Sequence, residues 1–389
     1  FIDLAERKES VLRLARLISF QPKRNIAGSG QLKITSITTT ESVVDANGND
    51  ISNTPILWND VTNSAWQEQF NAVLNSALPR AQTIGKPQAT GTVGGITTDQ
   101  YRLNSSNIGL PSQSFSRNIN GLAMDFEIVP VALDEGFVVE ENPVPGNSLS
   151  FIYKNDGRGF SSNSTGYFFT FKQGEMNSTD FTIDSQLPNT IVSVEENGIN
   201  NDDVFLFKTD QNGLLEQAWT KVPAITGNNV IYNSLANNIT EQYAVVTKTN
   251  DQIDLVFSDG TYGTMPVGNF RVYYRQSNGL SYRIQTSDMQ NVSFDVEYVS
   301  RNNQINTLTV TASLTSTVTN AAQSQSIFDI KTQAPQVYYA NNRMITPEDY
   351  QIIPLTQNPS LAKARSQVRA ISGTSRFLDV TDPTGVYSE

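Results

Sequence analysis

A mostly β fold with a few short helices, an α+β chain of several domains, is predicted by three observations. Stretches of alternating apolar and polar residues, rich in Val, Ile, Phe, Tyr and Thr, recur between residues 28 and 322. Asn, Gly, Asp and Ser punctuate them where tight turns are needed. Only 17% of the 389 residues are charged, with 38 acidic against 27 basic and a net charge of −11. That composition suits a rigid, turn-rich β protein and argues against a broad nucleic-acid-binding surface. No run of about 18 apolar residues is present, so no membrane span is expected. The chain has neither Cys nor His, which excludes disulfides, thiol nucleophiles and Ser-His-Asp, Cys-His or HExxH sites within these residues. Carboxylate chemistry, a lysine nucleophile or a calcium site remain, and no cofactor is expected.

Residues Asp3 to Ile18 read as a helix. Leu4, Val11, Leu14, Ala15 and Ile18 mark one stripe, Leu12 and Leu17 widen it, and Arg7, Lys8, Arg13 and Arg16 form the wet side. Acidic residues at its start and arginines at its end suit the helix dipole. The broad apolar face makes Leu4, Val11, Leu12, Leu14, Ala15 and Ile18 candidate interface residues. An ordinary core helix would carry the same stripe.

The β-branched run from Gln31 to Val44 reads as a strand, and D-A-N-G-N-D at Asp45 to Asp50 as a hairpin turn. A calcium loop there would need a later bidentate Glu that is missing. Trp66, Phe70, Val73, Leu74 and Ala77 recur at helical spacing over about 62–78, and Pro79 ends that helix. The run G-T-V-G-G-I-T-T lacks the Gly-Lys-Ser/Thr of a phosphate loop, so it reads as structural. From Leu122 to Thr247 strands follow one another, among them M-D-F-E-I-V, L-S-F-I-Y-K and G-Y-F-F-T-F-K, with a hairpin turning at Asp210 to Gly213. The acidic pairs Glu140-Glu141, Glu195-Glu196 and Asp202-Asp203 lie beside turn residues and read as solvated turn charge; a glycosidase would need two carboxylates at a defined separation. Asn-x-Ser/Thr triplets such as Asn163-Ser164-Thr165 are the chance product of an Asn-, Ser- and Thr-rich chain.

Leu255-Val256-Phe257 and Phe270 to Arg275 read as two strands joined by a loop with glycines at 260, 263 and 268 and Pro266. V-S-F-D-V-E-Y-V-S and L-T-V-T-A-S-L-T continue as strands. Ser324 to Leu355 reads as two short helices separated by a bend. Ser324 caps the first, Ile327, Phe328, Ile330 and Ala334 face its core, and Pro335 stops it. Thr346 caps the second with Pro347 at its first position and acids in its first turn, and Tyr350, Ile353 and Pro354 close it after about two turns. Ala364 to Ile371 and F-L-D-V read as further strands before a turn at Asp382 to Gly385.

Three phrases carry a resemblance. F-I-D-L-A-E-R-K-E-S-V-L-R-L-A-R-L-I-S-F-Q-P-K-R near residues 1–24, F-S-D-G-T-Y-G-T-M-P-V-G within 254–275, and A-P-Q-V-Y-Y-A-N-N-R-M-I-T-P-E-D-Y within 324–355 are similar, in this order, to phrases of J-like baseplate wedge proteins of contractile phage tails. Ser19 and Ser258 stand where that family has glycine. The resemblance implies a structural subunit and not an enzyme, located in the virion tail baseplate. It implies self-association as a dimer and ring, and contacts with other wedge subunits and with tail hub or sheath-proximal proteins. Such a ring rearranges to trigger sheath contraction. The expected division is an N-terminal helical segment (1–27), β-rich insertion domains (28–245), a J-like β core (246–322), and a helical connector leading into the start of a small α/β domain (323–389). The chain is expected to be a piece of a longer protein. The alternatives are a carbohydrate-binding or glycan-cleaving tail component and the wedge subunit of a related contractile injection system.

Overall fold

The computed structural model describes residues 2–18, 20–42, 44, 47–50, 56–57, 89–103, 113–142, 149–159, 161–225, 240–261, 263–300, 302–340, 347–357 and 364–366. Among the described residues strand far exceeds helix, so the mostly β reading holds. The expected helix over 62–78, the Thr346 cap, Ser19 and the turn at 382–385 lie outside the described residues, as does nearly all of the strand expected over 364–371. The chain divides into two compact units, one of residues 1–23 with 325–389 and the other of residues 24–324.

The first unit is helical. A 3-10 turn at Ile2–Leu4 precedes α1 (Lys8–Leu17), and α2 (Ile327–Ala340) and α3 (Pro347–Gln357) follow. The single helix expected over 3–18 is therefore broken, with Arg7 in extended conformation before α1. A straight helix would hold Ile2 and Val11 about 13 Å apart along its axis, yet both enter one core with Leu12, Ala15, Phe20, Ile330 and Ala334. The start of α2 also differs from expectation. Ser326 caps it, not Ser324: the Asp329 amide donates to Ser326 Oγ at 3.1 Å, and the Ser326 amide donates back to Asp329 Oδ2 at 3.0 Å. This is a capping box. Ser326→Ala is expected to cost about 1 kcal/mol, seen as a lower urea midpoint for the loss of helical circular dichroism.

Pro335 does not stop α2, nor Pro354 α3. An internal proline costs about 3 kcal/mol. Around Pro335 that cost is offset by packing, because Ile330 and Ala334 are completely buried and Ile327 and Val337 pack beside them. Phe328, expected on the buried face, points to solvent.

The second unit is built from strands. Its ten-stranded sheet contains β1 (Ser29–Thr39), β2 (Ile56–Leu57), β3 (Ala89–Val93), β4 (Ile96–Leu103), β5 (Ser114–Ile119), β6 (Leu122–Ile128), β9 (Leu149–Asn155), β10 (Gly166–Gln173), β18 (Val292–Val299) and β19 (Ile305–Leu314). A small hairpin sheet comprises β7 (Val131–Asp134) and β8 (Phe137–Glu140). The seven-stranded sheet comprises β11 (Glu175–Ile183), β12 (Ile191–Val194), β13 (Ile199–Thr209), β14 (Leu215–Val222), β15 (Gln242–Thr247), β16 (Ile253–Phe257) and β17 (Gly268–Gln276). The boundary expected at 245/246 falls inside β15, and β18 and β19 return to the sheet that holds β1. Among the described strands pairing is antiparallel except between β14 and β15, and β1 pairs with the distant β10 and β19.

β10 organises the larger sheet. It pairs with β1 along one side, while its other side is shared by β9 at Gly166 to Phe168 and β6 at Phe171 to Gln173. Tyr167, Phe169 and Phe171 enter the main core with Phe126, Phe151, Phe294 and Val310. Phe168 faces the other way, against Val129, Val131, Ile152 and Val138, so the β7–β8 hairpin covers the second face. The sequence run of apolar residues in β10 thus reflects burial on both sides. The smaller sheet has its own core, in which Trp219 meets Phe257 and Phe270 edge-on at 5.5 and 5.4 Å. The glycine run at Gly94-Gly95 is a two-residue hairpin turn between β3 and β4, both residues having positive φ (61° and 79°), and not a phosphate cradle.

A buried charge network and the candidate interface

The two large sheets meet where β10 runs through Gly174 into β11, and charged side chains from both and from the β7–β8 hairpin collect there. Arg275 on β17 and Lys172 on β10 face Glu127 on β6, Glu140 on β8 and Asp203 on β13. Arg275 Nη1 lies 2.5 Å from Glu127 Oε2, its Nε 3.3 Å from Asp203 Oδ2, and its Nη2 3.7 Å from Glu140 Oε1. Lys172 bonds Glu140 at 2.9 Å and also pairs with Asp203. Arg275, Glu127 and Asp203 are each 1–2% exposed. Backbone groups complete the set: the Met176 amide donates to both Glu127 oxygens at 3.1 Å, and Arg275 Nη1 donates to the Gly174 carbonyl at 3.2 Å.

Local geometry aims these groups. Between Ile199 and Val204 the register of β13 against β17 slips, and the resulting bulge holds Asn200 to Asp203. Asp203 points inward and accepts from Asn200 Nδ2 at 2.9 Å, while Asp202 stays exposed. Backbone carbonyls of the same bulge receive Arg24: its Nη2 donates to Asn200 O and Asn201 O at 3.2 and 3.0 Å. Arg24 is 3% exposed, and burial pulls its pKa down to about 10 against the opposing pull of Asp251, Asp202 and Asp203. Asp251 in turn accepts from Asn25 Nδ2 at 2.9 Å.

Burial raises the Glu127 carboxyl above the ordinary carboxylate range, although the Arg275 charge works to lower it. Burial raises Glu140 as well, and the charge of Asp203 adds to it. For Lys172 and Arg275 burial opposes the charge, but the surrounding carboxylates outweigh it and both hold their protons more firmly. These five groups can fix the junction between the sheets. Of the carboxylates in the three acidic pairs, Glu140 and Asp203 are both held by Lys172 and Arg275.

Sequence reading of the acidic pairs as solvated turn charge therefore needs correcting for Glu140 and Asp203, and for Glu141, which is half-buried and paired with Arg102. It stands for Glu195 and Glu196, which are exposed beside a turn. Arg275, Lys172 and Glu127 were the missed residues; Glu127 reads as the wet side of M-D-F-E-I-V but is buried. Each of the two cations ends an aromatic strand run, Y-Y-R and F-K, and a cation closing such a run is the one local hint of a buried charge.

Of the candidate interface residues, Val11, Leu12 and Ala15 are buried in the core of the helical unit, and Leu14 and Ile18 pack partly against it. Leu4 is 86% exposed. Leu17, which widened the stripe, is 80% exposed, and Phe328 and Tyr339 on α2 are also uncovered. Most of the α1 stripe thus faces α2, while Leu4, on the 3-10 turn, and Leu17, the last residue of α1, stay open.

A family model described as a domain of unknown function, DUF8360, matches residues 30–317. The chain belongs to the DUF8360 family. The matched region starts inside β1 and ends just past β19, so it takes in both sheets and all five members of the junction network. α1, α2 and α3 lie outside the DUF8360 match. No curated protein matches the sequence. Among the described residues no cluster of Cys, His, Asp or Glu is arranged to hold a metal ion, and no helix is long and apolar enough to cross a membrane.

Proposed function

We propose that this chain is a structural subunit of a contractile-tail baseplate wedge. It acts by packing against neighbouring subunits and by shifting between two packed arrangements, not by bond chemistry. The observation that carries this reading is the ordered recurrence of three wedge-like phrases, near residues 1–24, 254–275 and 324–355. Packing supports it: the first and third phrases, far apart in sequence, supply α1 and α2, which share one apolar core. The middle phrase supplies β16, β17 and the loop between them. Its partners on this reading are further copies in a dimer and ring, other wedge subunits, and hub or sheath-proximal proteins.

The side chains available for such contacts are those the helical unit leaves uncovered. Glutamate at Leu12 would enter the core and unfold the unit, so the informative variant is Leu4→Glu with Leu17→Glu. That variant is expected to retain its circular dichroism and melting temperature and to disappear from assembled particles. Quantitative mass spectrometry of purified particles should find the unsubstituted chain at a small multiple of six relative to a ring of sheath protein. Three copies, free protein without particles, or normal incorporation of the double variant would each overturn the proposal.

A further inference from the structure

The strand β11 is an edge of the seven-stranded sheet, nine residues long and bonded to β17 along one side. In an antiparallel pair, residues alternate between exchanging both backbone bonds with the partner and turning both groups away. The Met176 amide is turned away from β17, since it donates to Glu127. The register from Glu175 to Ile183 is unbroken. The N–H and C=O groups of Ser178, Asp180 and Thr182 therefore also point away from β17, and no described residue takes them up.

Other edges are shorter or attended. β12 has four residues and β3 has five. At the start of β18, Arg117 from β5 donates to the Asn291 carbonyl at 3.0 Å. β11 also lacks the usual guards of a free edge, having no proline, no lysine and no bulge. Its charges are acidic. Glu175 begins the strand, Asp180 sits at its middle and Asp184 follows its end, all exposed. Arg271 is the cation facing them, holding Asp180 through two bonds of 2.6 and 2.8 Å. A second copy offering the same edge would set carboxylates against carboxylates in a protein of net charge −11. A cationic strand would meet opposite charge while closing the open backbone ladder.

We propose that the β11 edge is a strand-addition site for an extended segment rich in Lys or Arg, supplied by another protein. The argument rests on β11 alone and is independent of the wedge reading.

Amide hydrogen exchange on the full chain at low salt tests it, with an alternating Thr-Lys peptide as probe and the matching Thr-Glu peptide as control. The Thr-Lys peptide is expected to slow exchange at Ser178, Asp180 and Thr182 by at least about tenfold, with protection fading as salt screens the charges. Thr182→Pro removes an outward amide that β17 does not use, together with one exposed hydroxyl bond to Asn269, so it should abolish the protection at Ser178 and Asp180 while leaving the far-ultraviolet circular dichroism of the folded sheet unchanged. Absence of protection, equal protection by the Thr-Glu peptide, or protection that rises with protein concentration alone would overturn the proposal. Because the peptide comparison is made on the unsubstituted chain, it decides the matter even if the proline variant fails to fold.

Discussion

Arg275→Met is expected to destabilise the protein by about 3–5 kcal/mol in urea denaturation. The side chain is 1% exposed and its guanidinium is shared by Glu127, Asp203 and Glu140. Methionine fills much of the same space, so the loss is electrostatic. It leaves Glu127 and Asp203 buried with Lys172 as the remaining cation of the set, and Lys172 already serves Asp203 and Glu140. Removing one partner of a buried pair costs more than the pair contributes, because the orphaned charge has no water to return to. Arg275→Lys should recover only part of the loss, since an ammonium group cannot reach three carboxylates in the fork geometry of a guanidinium. Adding Glu127→Gln to Arg275→Met should restore stability relative to the single variant, because it removes one stranded charge. An Arg275→Met variant within about 1 kcal/mol of the parent would show the network to be hydrated and energetically neutral.

That network marks the limit of what the sequence discloses. Strands were legible where a wet face alternates with large apolar residues: in β18 the alternation of Val292, Phe294, Val296 and Tyr298 with Ser293, Asp295 and Glu297 matches alternating burial, whereas the Thr- and Gly-rich β3 and β4 carry too few apolar residues to show the period. The hairpin at Asp210 to Gly213 was legible from its turn residues, and in the structure the Leu214 and Asn212 amides both donate to Asp210 Oδ1 at 2.8 Å. The course of α2 through Pro335 was not, because the local penalty of a proline is readable and the packing that offsets it comes from α1. The burial of Glu140 and Asp203 was hidden for the same reason. Their partners Lys172 and Arg275 lie on other strands, and a bulge in β13, invisible to periodicity, turns Asp203 inward. Val11, Leu12 and Ala15 form an apolar stripe as expected, while Leu4 lies outside α1 and is exposed; a stripe does not say whether its cover belongs to the same chain.

Gly174→Ala is expected to be about as damaging, at about 2–6 kcal/mol, from two separable causes. Gly174 has φ +94°, which an alanine adopts only with strain of about 1–3 kcal/mol. A Cβ there would also lie 2.0 Å from the Gln276 carbonyl oxygen and 2.9 Å from its carbon. Both are backbone atoms of the neighbouring crossing between sheets, so no side chain can rotate aside, and overpacking of this kind costs about 1–3 kcal/mol more. Nor can the residue itself shift freely. Its amide donates to the Asp125 carbonyl at 2.9 Å and its carbonyl accepts from Arg275 at 3.2 Å, so moving it disturbs both β6 and the charge network. Gly213→Ala separates the two causes. Gly213 has φ +79°, but a Cβ there would meet nothing nearer than Arg271 Nη2 at 3.5 Å. It should therefore lose only the backbone strain, about 1 kcal/mol. Urea midpoints of the two variants, measured side by side, should differ by the overlap cost. Equal losses would mean that the chain at Gly174 yields, and that the sheets are not locked where β10 passes into β11.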